Sequence, residues 1–317
     1  MSVLPHQPVP GLASVIIPAY NAAGFVAEAI DSVLAQDYPQ VEIIVVNDGS
    51  KDNTLEVLRG YGDRITIVDQ ANAGPPKARN AGLRAVRGEF VAFLDADDVW
   101  SPFKLSAQIS HLVAHPDVGT VFTRWHVWLA DADGVFRAPR AWAPVPHDVA
   151  TVPEVSGWMY TRLLLECHLL TTTVLMRASL IEQIGEFDVA LYNGDDYDYW
   201  LRASRIAKID KLDFVGAYYR VVQGSVSRKA RPVNDERIVI EKAMAHWGLA
   251  DPHGGDAMTP EVMRNHMDGL IIQFAHAHLT VGDAKVSVAN YFDVLRRKPW
   301  RFDLWPGAVK ALAKRFA

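Results

Sequence analysis

The first hundred residues alternate between two hydrophobic periods. Residues 14–17 form a short β-branched run that reads as a buried strand. After a turn at residues 18–21 the spacing lengthens. Val26, Ile30, Val33 and Leu34 fall on one side and Glu28 and Asp31 away from it, as on a half-buried helix. Residues 41–46 form a second strand, closed by Asn47-Asp48-Gly49-Ser50, residues suited to turns and helix caps. Residues 64–69 are a third strand. Pro75 and Pro76 then open a helix of small residues expected to end near Gly88. Residues 90–94 are a fourth strand, and Ser101-Pro102 has the form of an N-cap and first helical residue ahead of Leu105, Ile109, Leu112 and Val113. This alternation implies an α/β fold: a mostly parallel, Rossmann-like sheet with helices on both faces.

Beyond residue 118 the pattern loosens. Strands are expected near residues 121–128 and 172–176 and a helix over 195–206. Pro232 marks a boundary, giving a first domain over residues 1–231 and a helical C-terminal extension over 232–317. That extension is helical most clearly at residues 262–279 and 284–295.

Composition narrows the function classes. With 317 residues, half of them hydrophobic, there is ample material for a core, and the net charge of −5 argues against a nucleic-acid partner. The single cysteine, Cys167, cannot form an internal disulfide and is expected to be a buried small hydrophobe. Residues 1–11 are proline-rich and lack the basic start and apolar core of a secretory signal. No apolar run approaches the roughly 20 residues that cross a bilayer. A cytoplasmic protein, at most peripheral at a membrane, is expected.

A doubly wound sheet binds its ligand at the carboxyl ends of its strands, so those turns carry the chemistry. The first strand is not followed by Gly-x-Gly-x-x-Gly, and no Gly-Lys-Ser/Thr occurs, which disfavours dinucleotide oxidoreductases and P-loop nucleotidases. The fourth strand ends in Asp95-Ala96-Asp97-Asp98. Three carboxylates there repel one another unless they are solvated or neutralised by a cation. Mg²⁺ or Mn²⁺ would take their oxygens, with two phosphates completing the coordination. A solvated acidic turn is the plain alternative, because Asp-x-Asp is common by chance.

Six segments in order raise the metal reading: Ile16 to Asn21, Val45 to Ser50, Asn72 to Gly74 with Ala78 to Gly82, Phe93 to Trp100, Gly185 to Asp188, and Gly194 to Arg202. Together they resemble glycosyltransferase family 2, over roughly residues 12–230. The resemblance implies the GT-A fold and inverting transfer of a sugar from a nucleoside diphosphate donor to an acceptor hydroxyl, in polysaccharide or glycoconjugate biosynthesis. UDP is the expected nucleotide, with a thymidine or guanosine nucleotide the alternative, and Mn²⁺ or Mg²⁺ the cofactor.

By the same resemblance, Pro18, Ala19, Tyr20 and Asn21 line the nucleotide pocket. Tyr20 lies against the base, where an aromatic face suits stacking. Asp48 accepts a hydrogen bond from the base; an ordinary turn aspartate is the alternative. Arg79 lies near the diphosphate, with Lys77 a weaker candidate. In the family's Asp-x-Asp motif Asp95 lies near ribose and metal, Ala96 lines the nucleotide-sugar site, Asp97 holds the ion directly, and Asp98 organises the loop. Asp195 and Asp196 open a helix, where a purely structural role in complementing its dipole is the alternative. The family's pair at this place supplies the general base, its second member, which is Asp196; Asp195 joins the nucleotide-sugar site. Trp200 and Leu201 read as core. Residues 219–227 resemble a late segment in which many relatives carry histidine where this chain has Val222, a residue that cannot ligate metal. His276 and His278, two apart on a helix, face different ways and read as structural.

Two other readings stay open. A sugar nucleotidyltransferase would need a glycine-rich basic loop near the first strand, and a catalytically silent nucleotide-sugar module would not need Asp195-Asp196. Acceptor contacts are expected in residues 126–170. Residues 306–316 place Val309, Leu312 and Phe316 along one side with Lys310, Lys314 and Arg315 among the rest. That is either a peripheral membrane contact or a terminal helix packed on the catalytic domain.

Overall fold

The β-branched runs form the middle of a sheet in the computed structural model, which describes residues 3–4, 7–137, 142–146, 148–191, 193–222 and 231–316. Part of the N-terminal stretch (residues 1–2 and 5–6) and residues 223–227 of the late motif lie outside the described residues. The chain runs β1 (Val9–Ala19), α1 (Val26–Leu34), β2 (Val41–Asp48), α2 (Thr54–Arg59), β3 (Thr66–Gln70), α3 (Pro75–Leu83) and β4 (Gly88–Phe93). Then come β5 (Val99–Trp100), α4 (Lys104–Ala114), β6 (Val118–Trp128), α5 (Tyr160–Leu163), β7 (Leu175–Arg177), α6 (Ala178–Ile184), α7 (Asp195–Ser204) and β8 (Lys208–Arg220).

These eight strands form one sheet in the order β3-β2-β1-β4-β7-β6-β8-β5. The pairings of β1 with β2 and β4, of β2 with β3, and of β6 with β8 are parallel, while β7 and β5 run antiparallel to their neighbours. Ile16 of β1 stands opposite both Ile44 and Phe93, so the ends of β2, β1 and β4 finish side by side. Alternation along β1 then assigns the faces. Ala13, Val15, Ile17 and Ala19 join Val26, Ile30 and Val33 of α1 and Leu105, Ile109 and Leu112 of α4 in one core cluster. Ile16 points the other way, against Gly82 of α3. Helices therefore cover both faces, as the alternating periods imply.

Several boundaries differ from the sequence reading. Helix α3 stops at Leu83, not near Gly88, because Gly88 opens β4, where a Cβ would lie 2.5 Å from the Leu12 carbonyl oxygen. Helix α4 begins at Lys104; Ser101 is instead tied to the β8 side of the sheet, its N–H donating to the Gly216 carbonyl. The strand expected at residues 172–176 is a 3₁₀ turn followed by the three-residue β7. Strand β8, thirteen residues long, has no β-branched run to announce it.

The chain divides into two units, residues 1–223 with 251–253, and 224–250 with 254–317. The second unit holds α8 (Asp235–Trp247), α9 (Pro260–Val281), α10 (Ala284–Arg297) and α11 (Trp305–Phe316). Asn234, Thr259 and Asp283 cap α8, α9 and α10 by accepting from backbone N–H groups, each contributing about 1 kcal/mol. Its core gathers Ile271, Ala275, Tyr291, Val294, Leu304 and Ala308 among others. Among the described residues no helix is long and apolar enough to cross a membrane.

The contact of α3 with β1 has no spare room. A Cβ on Gly82 would lie 2.4 Å from Ile16 Cγ2, and Ile16 is fully buried. Gly82→Ala is expected to destabilise the chain by about 1–3 kcal/mol, read as a lowered urea midpoint at unchanged m.

Candidate active site

The turn after β1 is braced by the turn after β2. Asn21 adopts φ 50°, a left-handed conformation open to asparagine, and so presents both its groups to the neighbouring turn. Its N–H donates to Ser50 Oγ (3.0 Å), and its Oδ1 accepts from the Lys51 N–H (2.8 Å). Ala19 is buried, Pro18 half-buried and Tyr20 47 % exposed, which leaves the tyrosine ring available as a stacking surface.

Asp48, at the end of β2, is buried and heavily used. Oδ1 accepts from Gln70 Nε2 (2.7 Å) and the Ala73 N–H (2.9 Å), and Oδ2 accepts from the Gly74 N–H (2.9 Å). The carboxylate thus shapes the loop that leads into α3. Gly74 caps that helix at φ 90°, where a side chain would be strained.

One turn into α3 stands Arg79, which is buried. Its Nη1 bonds Asp195 Oδ2 at 2.6 Å and its Nη2 reaches Asp95 Oδ1 at 3.4 Å. One guanidinium therefore joins α3, the end of β4 and the start of α7. Burial works against its charge, but Asp195, Asp95 and Asp196 outweigh that and raise its pKa. Lys77, by contrast, is exposed. Next to Arg79, Asn80 exchanges two hydrogen bonds with the backbone of Phe187 (2.9 and 2.8 Å), and Phe187 stacks on Tyr199 of α7 at 3.9 Å. The Gly185 to Asp188 and Gly194 to Arg202 segments are thereby fastened to the same helix.

The three acidic residues that begin α7 divide their tasks. Asp195 is committed to Arg79 and Asp198 to Arg202 (2.8 Å). Asp196 is half-buried, and among the described residues no ion pair engages it. Its Oδ2 accepts from Thr171 Oγ1 (2.8 Å) and its Oδ1 from the Tyr197 N–H (2.8 Å). Such a carboxylate is held in place yet still has acceptor capacity. Trp200 and Leu201 are buried.

The Asp95 to Asp98 turn is held from the far side by Arg220, the last residue of β8, which carries no assigned role in the sequence reading. Its Nε donates to the Asp97 carbonyl (2.7 Å), its backbone N–H to Asp98 Oδ1 (2.8 Å), and its Nη2 pairs with Glu28 (2.6 Å). Trp128, Phe25 and Phe136 surround the guanidinium at 4.0, 4.9 and 4.9 Å. The signal available in the sequence was only its place in the late Tyr219-Arg220 segment. Beside the clamp opens a cleft of about 460 Å³ lined by Glu28, Ser32, Trp100, Trp128, Phe136 and Trp142. The last three come from the middle region where acceptor contacts are expected.

Ala96 is buried within the acidic turn, Asp95 and Asp97 are half-buried and Asp98 is fully buried. Burial, then the neighbouring Asp95, pushes Asp97 up to about 6, and burial with Asp95 and Asp97 holds Asp98 well above the usual carboxylate range. Burial first, and Asp196 next to it, raise Asp195 to about 6 in spite of Arg79. Carboxyls that repel one another here suit a divalent cation. Among the described residues no group of three or more His, Cys, Asp or Glu could hold the ion. Asp97 and Asp95 fit part of a coordination sphere, and the rest would have to be ligand oxygens and water. Val222 supplies no donor. Elsewhere, His278 is buried with Nε2 against the Arg231 carbonyl (2.7 Å), in keeping with a structural role, while Cys167 is half-buried rather than buried.

The family described as "Glycosyl transferase family 2" matches residues 14–137. An uncharacterized glycosyltransferase of Rickettsia felis is 33% identical over 242 residues, 74% of this chain but 38% of that protein, so the chain spans well under half of that relative. The Escherichia coli protein WfaP, named a UDP-Glc:alpha-D-GlcNAc-diphosphoundecaprenol beta-1,3-glucosyltransferase, is 30% identical over 223 residues, 68% of this chain and 80% of that one. Among solved structures, S. aureus TarS 1-349 in complex with UDP-GlcNAc superposes with a TM-score of 0.61 at 23% identity, covering 96% of this chain and 89% of that one. The mannosyltransferase PcManGT from Pyrobaculum calidifontis, in complex with GDP-Man and Mn²⁺, gives a TM-score of 0.57 at 18% identity over 98% and 88%.

Asp97 and Asp195 hold their protons more tightly in the folded chain than in the unfolded one. Folding therefore takes up protons between pH 3.8 and about 6, and stability falls as pH rises through that window. Without divalent cation, Asp97→Asn is expected to raise Tm at pH 7.5, with a gain that shrinks as pH is lowered to 4.5. Calorimetric melts at both pH values check this.

Proposed function

This chain belongs to glycosyltransferase family 2, and from that membership we propose that it transfers a sugar, with inversion, from a nucleoside diphosphate to an acceptor hydroxyl of a glycoconjugate or polysaccharide. UDP is the proposed nucleotide, in keeping with the UDP-Glc in the name of the E. coli relative and the UDP-GlcNAc bound by TarS. Residues 1–231 are the proposed catalytic domain and 232–317 its extension. One observation carries the reading. Asp196 is a half-buried carboxylate that makes no ion pair among the described residues, anchored by Thr171 next to Asp195, which Arg79 couples to the Asp95 end of the acidic turn.

In this scheme Tyr20 stacks on the base, with Pro18, Ala19 and Asn21 shaping the pocket around it. Asp48 holds the loop beside them and offers its remaining Oδ2 lone pair to the base. Arg79 is too well held by Asp195 and Asp95 to swing, so it contributes a fixed positive charge beside the diphosphate, with Lys77 as an outer, mobile one. Ala96 keeps the turn narrow, its small side chain leaving room for the sugar nucleotide. Asp97, with Asp95 beside it, would hold Mn²⁺ or Mg²⁺, whose charge would stabilise the departing diphosphate. Arg220 keeps Asp97 and Asp98 from relaxing apart.

Asp196 takes the proton from the incoming hydroxyl while the oxygen attacks the anomeric carbon from the face opposite the leaving group. The transition state is oxocarbenium-like, and a single displacement inverts the centre. Thr171 keeps Asp196 oriented without neutralising it.

Asp196→Asn is expected to lower kcat by about 10²- to 10⁴-fold with donor Kd and Tm unchanged. Release of UDP from a panel of UDP-sugars, with isothermal titration for donor binding, provides the measurement. Near-normal turnover would remove Asp196 from the mechanism.

A further inference from the structure

The last helix packs by its smallest residues and leaves its largest ones outside. Ala308 and Ala311 of α11 are fully buried, and Gly307 lies so close to Tyr291 that a Cβ there would sit 2.7 Å from the ring. Trp305, Val309, Leu312 and Phe316 fall at i, i+4, i+7 and i+11, a single stripe beside the packed face. Leu312 is half-buried against the core of the unit, but Trp305 is 38%, Val309 58% and Phe316 80% exposed. Just before the helix, Trp300 and Phe302 are exposed by 63% and 77%. Leu312 packs on the core and Trp305 meets Phe292 edge-on, but packing on the rest of the unit does not account for Val309, Phe316, Trp300 or Phe302.

Charge marks out the occupant. Residues 296–316 contain seven Lys or Arg against one Asp, in a chain whose overall charge is −5. Arg297 and Lys298 answer Asp268, and Arg301 answers Asp303. Arg296, Lys310, Lys314 and Arg315 have no carboxylate partner among the described residues; Lys314 donates instead to the Leu279 carbonyl (3.0 Å). A second copy docked on this face would bring those cations together with their own images, an arrangement a two-fold interface disfavours. A membrane surface satisfies both features at once. Tryptophan and phenylalanine insert at the headgroup level, and flexible Lys and Arg heads reach anionic phosphates.

We propose that the stripe of Trp305, Val309 and Phe316, with Trp300 and Phe302, is a docking surface for an anionic lipid bilayer, entered to headgroup depth and held by Lys310 and Arg315, which have no carboxylate partner among the described residues. The surface lies within the second unit and does not rest on the transfer chemistry.

Co-sedimentation of the full chain tests it, using vesicles of phosphatidylcholine alone and vesicles with one third phosphatidylglycerol. The chain is expected to bind the anionic vesicles and to leave them as salt is raised. Val309→Ser with Phe316→Ser should lower the vesicle partition coefficient more than about ten-fold, because two exposed apolar side chains no longer enter the lipid. Both side chains already face solvent, so an unchanged Tm verifies the fold. Lys310→Glu with Arg315→Glu should abolish the preference for anionic lipid. Asp196→Asn should bind as the unaltered chain does, so a failure of the transfer mechanism and a failure of docking are read separately. Equal binding to both vesicles, or full binding by the double serine variant, would overturn the proposal. So would a concentration-dependent dimer in sedimentation velocity that this variant abolishes, since the stripe would then be a self-association face.

Discussion

The arrangement of the first unit depends on one buried guanidinium. Arg79 ties the end of β4 to the start of α7, two places far apart in the chain, through Asp95 and Asp195. Withdrawing an arginine and its carboxylates from water is expensive, and the attraction recovered in the interior often does no more than offset it. Such a pair is weak support for stability and strong support for geometry, because removing any member strands the others as uncompensated charge. Everything nearby serves that geometry. Gly82 lets α3 close onto Ile16, Asn80 pins Phe187, and Asp48 fixes the loop from which α3 starts.

A second arginine performs the complementary task from the opposite direction. Arg220 reaches the acidic turn through a backbone carbonyl and a neighbouring carboxylate, and leaves the side chains of Asp95 and Asp97 free of its charge-assisted bonds. The turn is therefore rigid but still electrostatically unsatisfied. That combination is what a cation site requires and what a stability optimum would avoid. The GT-A fold tolerates it because the strands beneath, with Phe93 and Ile16 fully buried, supply the burial that offsets it.

Much of this is legible in the amino-acid sequence. Strands β1, β2 and β4 are continuous apolar runs because both their faces are covered, and their ends carry Pro18 to Asn21, Asp48 and the acidic turn where a parallel sheet must place them. What stayed hidden was relational. Strand β8 interleaves Asp, Lys and Gly with its apolar residues, so neither it nor Arg220 at its end stood out. Three aspartates in one helical turn look alike in sequence; only the positions of Arg79, Arg202 and Thr171 separate them. Along α11 the period groups Val309, Leu312 and Phe316, but periodicity alone cannot tell whether a stripe meets a core or solvent, and the alanines take the inner place.

The engagement of Asp48 has a consequence for how such a pocket can diversify. Its carboxylate organises main chain on the neighbouring loop, so in the proposed reading, where it also meets the base, recognition and scaffolding would share the same oxygens. Exchanging that residue to court a different heterocycle would loosen the segment that aims α3 before any new preference could be expressed. On that reading, nucleobase choice would be welded to the framework that carries α3.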